Sequence, residues 1–446
     1  MKLLSAVILL GAMSTVQAAK IAVIDSGLDY KHEMIVPNLW TNQNEVFDLR
    51  DNDGNGYQDD VHGWNFGEQK AEIIDYKYLG TFSENPYKYF DIQGKMFINQ
   101  ATEAEIAWLR AIVADKDFQK EMGKFGNFIH GTHVAGIAIR DSKNEAMGIK
   151  LMPTEVKLVF DGLAQKSNSV MTSDKKWNLL QQGFNMLAVE QMKLLTEIAR
   201  FVDGHKMEVA NGSFGTGFNN IKMITDNAYR IIFFKKPSKE DSDKAAGMMI
   251  NAMVAEGQKF VAAAPNTLFV FAAGNDGMSN DVYGTSPANV KADNVITVGA
   301  TYNNEFFANF SNYGTKMVEV AAPGMLIDSA IPGAGQYLKV SGTSQAAPYV
   351  ANVAGQIKDA NKALRPVDIK AILMGTVDKK SFLSDKVTTG GVINHQRAVV
   401  AAEMSKKMTV SEAISRAKTM VKDARILKSM RKPMDVTPIP MLPLFK

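Results

Sequence analysis

Short runs of apolar and β-branched residues recur along the chain, and segments with helical patterns separate them. Near-continuous apolar strands of this kind are typical of a parallel sheet that helices cover on both faces. The runs are KIAVI from Lys20, VKLVF from Val156, EVANGSF from Glu208, LFVFAA from Leu268, NVITVGA from Asn294 and VEVAA from Val318. The sequence therefore predicts an α/β fold, in which functional side chains collect at the carboxyl ends of the strands.

The segments between the strands contain helical patterns at 101–122, 176–202 and 243–263. Two further segments resemble insertions into a compact core. Residues 67–127 are polar and rich in aromatic side chains, and residues 219–242 are rich in lysine. Neither carries a motif with an assignable chemistry, so surface lids, substrate-shaping loops and structural filler all stay open as roles.

Composition excludes several classes of function. The 446 residues include 50 Lys or Arg and 47 Asp or Glu, a net charge of +3 that is too even to indicate a nucleic-acid partner. Because the chain has no cysteine, it has no disulfides, no cysteine nucleophile and no thiolate metal site. Residues 405–446 form a basic, proline-rich tail with ten Lys or Arg and three Asp or Glu. A solvated tail, helical at 410–429 and then extended, is the simplest interpretation.

Residues 1–18 have the parts of a signal peptide: Lys2, an apolar run up to Met13, and small residues around a cleavage site after Ala18. The alternative is a retained hydrophobic anchor, but the run is far shorter than the ~20 residues that span a bilayer. No later segment is long and apolar enough to be a span. We therefore expect a secreted or periplasmic protein whose folded part covers residues 19–404, without an integral membrane segment after cleavage.

Asp25 and His130 are the first two candidates for catalysis. Asp25 ends the strand run IAVIDSG, where a buried strand fixes a carboxylate well enough to orient a histidine, although such residues also cap helices and bind metals. His130 in HGTHVAG can take a proton with one ring nitrogen and donate to a carboxylate with the other. The pattern after it suits a helix that starts there. His133 lacks the glutamate and four-residue spacing of a zinc-protease helix, so we expect it to have a structural role.

Ser344 and Asn275 are the other two candidates. Ser344 in SGTSQAAPYVA opens a helix, whose first-turn amides favour negative charge next to the hydroxyl, although an N-capping serine would look the same. Asn275 in FVFAAGNDG follows an apolar strand, where its amide can donate to an oxyanion or act as a simple turn residue. Each of these signals is weak by itself.

Together the strings IAVIDSG, HGTHVAG and GTSQAAPYVA, and the order Asp, His, Asn, Ser, resemble the subtilisin-like serine peptidases (subtilases) over residues 20–400. The resemblance implies a three-layer α/β fold with about seven mostly parallel strands. It implies a secreted serine endopeptidase in which Ser344 attacks a peptide carbonyl, His130 transfers the proton and Asp25 holds the imidazole. The Ser344 amide and Asn275 would then bind the oxyanion. A catalytically silent member that binds peptides or a partner is the alternative.

The resemblance also implies a substrate-binding segment in NGSFG, where Ser213, Phe214 and Gly215 would pair with the peptide backbone and line a pocket with Ala273 and Gly274. Strand pairing of this kind gives affinity without much side-chain choice, so broad specificity with an apolar preference is expected. An ordinary buried strand that ends at Ser213 is the alternative interpretation.

A further segment, DLRDNDGNGYQDDVHGWNF from Asp48, resembles one that is associated with calcium in some subtilases. Oxygen donors at Asp51, Asp53 and Asn55 have one-residue spacing, and Asp59 adds a carboxylate, so a structural calcium ion is predicted here. His62 stands where an EF-hand has its bidentate glutamate, so the segment is not a complete EF-hand. A polar turn without metal is the alternative.

The first strand begins at Lys20, close to the predicted cleavage site, so an N-terminal pro-region is not expected. We therefore expect that the tail from Lys406 onward covers the cleft as a self-inhibitor, with docking elsewhere or partner binding as the alternatives.

Overall fold

The computed structural model describes residues 18–155 and 171–423. Its strands are β1 (Lys20–Asp25), β2 (Gly63–Asn65), β3 (Glu145–Lys150), β4 (Val209–Gly212), β5 (Leu268–Ala272), β6 (Val295–Tyr302), β7 (Phe306–Phe307), β8 (Val320–Pro323), β9 (Ile327–Ala330), β10 (Tyr337–Val340), β11 (Asp378–Lys379) and β12 (Gly391–Val392). Its α-helices are α1 (Asn85–Phe97), α2 (Glu103–Ile112), α3 (Lys116–Ile139), α4 (Ser173–Gly204), α5 (Phe218–Phe233), α6 (Lys239–Ala262), α7 (Thr343–Ala360), α8 (Pro366–Gly375), α9 (His395–Met404) and α10 (Val410–Met420). Short 3-10 helices cover Val36–Asn38, Tyr76–Tyr78 and Ser381–Leu383.

A twisted sheet forms the middle layer, with strands in the order β11-β12-β8-β6-β5-β4-β1-β3-β2 and β7 paired to β6. The seven strands from β8 to β2 are parallel to their neighbours. β7 and β11 pair antiparallel at the margins, and β9 and β10 form a separate hairpin. The predicted α/β fold with about seven parallel strands is confirmed.

Two hydrophobic cores lie on opposite faces of this sheet, as the residues of β1 demonstrate. Ile21 and Val23 pack into the core that contains α3, α7, α8 and α9. Ala22 and Ile24 pack into the core that contains α4, α5 and α6. Successive strand residues point to opposite faces, so a strand that is apolar at every position is buried on both sides. This arrangement gives three layers.

The predicted strands at Lys20, Glu208, Leu268, Asn294 and Val318 correspond to β1, β4, β5, β6 and β8. The run from Val156 lies outside the described residues. β3, with the sequence EAMGIK, was not predicted because its glycine and its charged residues disfavour a strand in isolation.

The segment 67–127 contains α1, α2 and the first half of α3. These helices share a third core, formed by aromatic residues that include Tyr89, Phe90, Phe118, Phe125 and Phe128. The single helix predicted at 101–122 is two helices, because the Asp115 side chain accepts from the backbone N–H groups of Asp117 and Phe118 and caps a new helix there. The insertion therefore has a packed interior, to which Ile331 and Val340 from the region of the β9–β10 hairpin also contribute.

The segment 219–242 forms α5 and the start of α6, which pack on α4. Of the predicted C-terminal helix at 410–429, the structure describes α10, and residues 424–446 lie outside the described residues. Ala413 and Ala417 of α10 are buried, and Arg397 of α9 donates to Val421 O and to the Asp423 carboxylate. The part of the tail up to residue 423 is therefore packed on α8 and α9.

Candidate active site

The end of β1 and the middle of α3 bring Asp25 and His130 together. His130 Nδ1 lies 2.7 Å from Asp25 Oδ1, and both side chains are buried, with 2% and 0% exposed. The Ser26 backbone N–H donates to the same carboxylate oxygen at 2.7 Å. The turn after β1 thus sets the orientation of the carboxylate, and a carboxylate in this place holds the imidazole ring and stabilises its protonated form.

A close backbone approach makes the contact between Asp25 and His130 possible. A Cβ atom on Gly131 would lie 1.8 Å from the carbonyl oxygen of Gly27, so only glycine fits beside His130 here. The Gly131 N–H donates to Ser26 Oγ at 3.1 Å. His130 lies well inside α3 and does not start a helix, in contrast to the prediction, because Asp115 caps the helix much earlier.

A buried lysine lies beneath the same turn. Lys150, the last residue of β3, is the register partner of Asp25, and its Nζ donates to Asp75 Oδ2 at 2.7 Å and to Glu68 Oε2 at 3.0 Å. Burial opposes ionisation of Asp75, but hydrogen bonds from Lys150 and Thr154 hold the pKa of its carboxyl below the usual value. These two ion pairs connect the segment after β2 to the end of β3, which lies beside the end of β1 that carries Asp25. Sequence analysis missed it because the three partners are distant in the chain.

Ser344 lies in the first turn of α7, after the N-cap residue Gly342. Its side chain is largely buried, with 6% of the residue exposed, and its Oγ donates to the carbonyl oxygen of Ser213 at 3.2 Å. In return, Ser213 Oγ donates to the carbonyl oxygen of Ser344 at 2.9 Å. The backbone N–H of Ser344 belongs to the turn whose amides have no intrahelical acceptor, so it can bind an anion.

His130 and Ser344 line the same cavity, although they are 214 positions apart in the sequence. The predicted site residues that join them in its wall are Ser213, Phe214, Gly215, Gly274 and Asn275. The parallel sheet accounts for this convergence, since β1, β4 and β5 all end at the edge where α7 begins.

The Asn275 side chain has a fixed orientation. Its Oδ1 accepts from the Thr343 backbone N–H at 2.8 Å and from Thr343 Oγ1 at 3.0 Å. Because the oxygen is held against α7, the Nδ2 group is directed away from it. Among the described residues this Nδ2 has no protein acceptor, so its N–H groups remain available to an oxygen in the cavity.

Ala273 is not part of the cavity wall, in contrast to the expectation. It lies fully buried in a small apolar cluster with Val318 and Leu383. Ala272 lines the cavity instead. Neighbouring residues of an extended segment face opposite sides, so a shift by one position exchanges the wall residue for a core residue.

The cavity wall also contains polar residues that sequence reasoning missed, among them Asn220, Asp276 and Thr285. Burial raises the pKa of the Asp276 carboxyl above its usual value, against a weaker opposing effect of Asn312. The sequence signal that could have identified Asp276 was its position directly after Asn275.

His133 has the structural surroundings that were expected. It is fully buried, and its Nε2 lies 3.0 Å from the Ile327 carbonyl oxygen and 2.9 Å from that of Leu338. Both neighbours are acceptors, so Nε2 carries the proton, and burial lowers the pKa of the ring to about 3. The neutral ring thus joins α3 to the hairpin of β9 and β10.

The acidic loop brings three carboxylates together, from Glu45, Asp51 and Asp53, with one oxygen of each within 4.8 Å of the others. Such a set of hard oxygen donors suits calcium. Glu45 was missed because it precedes the predicted segment. Asn55 Oδ1 accepts from the Tyr57 N–H at 2.8 Å. This group of carboxylates therefore contains Asp51 and Asp53, which were predicted, and Glu45, which the fold adds.

Asp59 is not part of this group of carboxylates. Its φ is 58°, and its Oδ1 accepts from the backbone N–H groups of Asp48 and Leu49 at 2.9 and 3.0 Å. The backbone turn at Asp59 directs the carboxylate toward the start of the loop and away from Asp51 and Asp53. Its role in the described structure is to hold the loop.

Comparison with known proteins shows which family this chain resembles. The model of the subtilase family matches residues 17–398. The chain is 35% identical to the subtilase-type proteinase psp3 of Schizosaccharomyces pombe, over 68% of this chain and 56% of the relative. It is 36% identical to an extracellular protease of Xanthomonas campestris, over 30% and 24% of the two chains. The crystal structure of a cold adapted subtilisin-like serine proteinase is also similar, with 18% identity, a TM-score of 0.41, and coverage of 84% and 89%.

The chain spans less than two thirds of the length of these two curated relatives. The family match, in contrast, covers most of the chain, from before β1 to within α9, and includes Asp25, His130, Asn275 and Ser344. On this evidence the chain belongs to the subtilase family.

Proposed function

We propose that this protein is a serine endopeptidase with Asp25, His130 and Ser344 as its catalytic triad. The observation that carries the proposal is the 2.7 Å contact between His130 Nδ1 and Asp25 Oδ1, with His130 and Ser344 in the wall of one cavity. Membership of the subtilase family supports it. Polypeptides are the substrates that follow from this activity.

In the proposed reaction, Ser344 Oγ attacks a peptide carbonyl while His130 takes the hydroxyl proton, and Asp25 stabilises the charged ring. His130 then gives the proton to the leaving amine, which leaves an acyl group on Ser344. Water hydrolyses this ester with His130 as the base. The Ser344 N–H and Asn275 Nδ2 would stabilise the oxyanion in both steps, since neither donates to another acceptor among the described residues.

Substrate would bind as an extended strand along Ser213, Phe214 and Gly215, which line the cavity. Main-chain hydrogen bonds provide most of the affinity in this mode, so we propose broad specificity. Secretion is proposed from the predicted signal peptide, and the relative named as an extracellular protease supports it. Within the described residues, the helices are all too short or too polar to cross a membrane.

A fluorophosphonate probe tests the proposed activity directly. The amount of labelled wild-type protein should increase with time, because an activated serine reacts with the probe and an ordinary serine does not. Peptide mapping should locate the adduct at Ser344. The Ser344→Ala variant is the control and should remain unlabelled. A folded wild-type protein that takes up no label and hydrolyses no peptide would favour the silent, peptide-binding alternative.

We further propose that Glu45, Asp51 and Asp53 bind a structural calcium ion. An ion that binds only the folded state stabilises it by mass action, by about 2.7 kcal/mol at a hundredfold excess over the dissociation constant. Calcium added to chelated protein should therefore raise the melting temperature by several degrees. Scanning calorimetry at a series of calcium concentrations measures the effect.

Glu45→Gln is the test variant for this ion. Its amide oxygen can still accept from the backbone N–H groups of Asn52 and Asp53, as Glu45 Oε1 does at 2.6 and 2.9 Å. The variant loses one charge and the bond that Oε2 accepts from the Asp59 N–H at 3.1 Å, so its melting temperature is compared with and without calcium. Asp117→Asn, which removes an exposed carboxylate from α3, is the matched control. If calcium shifts the melting temperature of wild type and Glu45→Gln equally, the ion does not bind at this group.

We also propose that the end of the tail inhibits the cleft. Residues 410–423 are packed on α8 and α9, so they do not reach Ser344, and the inhibitory segment must lie within residues 424–446. This segment has five Lys or Arg and one Asp. Electrostatic docking would weaken as salt screens it.

A chain that ends at Asp423 keeps α10 and removes only this segment. We expect its hydrolysis of a small peptide to be faster than that of the full chain at low salt, and a synthetic peptide of residues 424–446 to inhibit it. A scrambled peptide of equal composition is the control for charge alone. Equal rates for both chains, together with no inhibition by the peptide, would contradict the proposal.

A further inference from the structure

The lysine-rich insertion contains α5, and the outer face of this helix carries large apolar side chains. The inner face is buried, as Tyr229 shows with 1% exposed. On the outer face, Met223, Ile231 and Phe234 are 54%, 40% and 62% exposed. A helix at the surface of a soluble protein normally has polar and charged residues on that side. Packing within this chain therefore does not account for the apolar residues of the outer face.

Phe234 ends α5 in a conformation that a bulky residue rarely adopts. It is the C-cap residue, and its φ of 56° and ψ of 28° are left-handed. Glycine or asparagine is usual at this position, because a Cβ atom makes the left-handed backbone unfavourable. The Phe234 N–H donates to the Arg230 carbonyl oxygen at 3.0 Å, so the helix end fixes this conformation. The ring gains little burial in return, which indicates a role outside folding.

Cations surround the exposed ring. Lys176 Nζ, from the first turn of α4, lies 5.5 Å from the centre of the Phe234 ring. Lys235 and Lys236 follow Phe234 directly, and Arg230 lies one helical turn before it; all three are exposed. The ion pairs of this region involve other residues, since Lys222 and Lys239 pair with Asp243.

Positive charge predominates at this end of α5. The only acidic residues within 174–176 and 230–240 are Asp174 and Glu240. The nearby Asp241 carboxylate accepts from the Tyr229 hydroxyl at 2.7 Å. We define the basic-aromatic patch as Ile231 and Phe234 together with the basic residues of the two segments, which are Lys175, Lys176, Arg230, Lys235, Lys236 and Lys239.

We propose that the basic-aromatic patch binds the surface of an anionic phospholipid bilayer. Lysine and arginine attract anionic headgroups. Phe234 and Ile231 can enter the boundary between headgroups and acyl chains, as the apolar face of an interfacial helix does. The long lysine side chains can keep their ammonium groups at the headgroups while the ring lies deeper. This inference does not depend on the proposed peptidase activity.

The combination of charge and apolar surface favours a bilayer over a nucleic acid or an acidic protein segment. Those partners would use the cations but would gain little from Ile231 and Met223. The position of the patch also leaves the cleft open. Gly217 and Asn220, at the start of α5, line the cavity beside Ser344. The patch is at the other end of this helix, which has 16 residues and is therefore about 24 Å long.

Sedimentation with lipid vesicles tests the proposal. The purified protein is mixed with vesicles of phosphatidylcholine alone, or of phosphatidylcholine and phosphatidylglycerol in a ratio of two to one. We expect binding to the anionic vesicles and little binding to the neutral ones. Binding should weaken as salt is raised, because ions screen the attraction between the lysines and the headgroups.

Two variants test the two parts of the patch. Lys235→Glu combined with Lys236→Glu should weaken binding about tenfold or more, because both charges near the headgroups are reversed. Phe234→Asn should weaken it about fivefold without lowering the melting temperature, because asparagine tolerates the left-handed backbone. Lys116→Glu with Lys120→Glu, on exposed positions of α3, is the matched control for charge. Val282→Asn, at a residue 70% exposed, is the control for apolar surface.

The basic tail is the competing source of vesicle binding, so a chain that ends at Asp423 is measured as well. It should still bind anionic vesicles. Loss of binding in this chain, equal binding to both kinds of vesicle, or no binding by wild type overturns the proposal. Weaker binding in the lysine variant but unchanged binding in Phe234→Asn also overturns it, because the partner is then recognised by charge alone. Fluorophosphonate labelling should be the same in all these variants, so failure here leaves the peptidase function untouched.

Discussion

Ser344→Ala is expected to lower kcat by roughly 10⁴-fold or more, because the variant has no attacking oxygen and only binding and oxyanion stabilisation remain. The fold should persist. The hydroxyl donates to the Ser213 carbonyl oxygen at 3.2 Å, and such a bond contributes about 1 kcal/mol to the free energy of unfolding. Single-turnover hydrolysis of a fluorogenic peptide and chemical denaturation measure the two quantities.

Ser415→Ala is the matched control for this experiment. Ser415 lies on α10, is exposed, and donates to the Ser411 carbonyl oxygen at 3.0 Å, so the variant also loses one side-chain hydrogen bond. Its kcat and its free energy of unfolding should both stay near wild type. Turnover by Ser344→Ala within tenfold of wild type would exclude Ser344 as the nucleophile.

Asn275→Ala is expected to lower kcat by about 10² to 10³ while KM changes little, because an oxyanion donor acts mainly in the transition state. The substitution also removes the acceptor for Thr343, which holds the start of α7 with bonds of 2.8 and 3.0 Å. A loss of stability of about 1–3 kcal/mol should therefore accompany the loss of rate.

Asn275→Asp separates these two effects. Its carboxylate can still accept from Thr343, but it has no N–H to offer an oxyanion, and its negative charge opposes the developing one. We expect kcat to fall at least as far as in Asn275→Ala, with a smaller loss of stability. An effect confined to KM in both variants would contradict the role of Asn275 as an oxyanion donor.

Much of the fold followed from local sequence patterns. The apolar runs at β1, β4, β5, β6 and β8 predicted a parallel sheet, and the sheet is parallel over eight strands, from β12 to β2. These runs are apolar at almost every position because both faces of the sheet are buried. That pattern can be recognised without knowing which strands pair with each other. The candidate residues Asp25, His130, Asn275 and Ser344 were likewise identified from short strings.

Helix boundaries were harder to predict from the sequence, because tertiary packing decides where a helix begins and ends. His130 lies inside α3 although FGNFIHGTHVAG contains three glycines and β-branched and aromatic residues that disfavour helix. The stretch is buried between β1 and the hairpin of β9 and β10. Burial of its apolar side chains and the close approach of Gly131 to Gly27 outweigh its low intrinsic helix propensity.

What the sequence by itself determined is therefore the class of fold and the candidates for the catalytic residues, since both depend on short segments whose pattern reflects burial or chemistry. Only the tertiary structure decided which residues share a site. It placed Ala272 in the cavity wall and Ala273 in a core cluster, added Glu45 to Asp51 and Asp53, and put the carboxylate of Asp276 against Gly217. These outcomes depend on contacts between segments that are far apart in the chain and on small shifts of the backbone. Local sequence patterns predict neither.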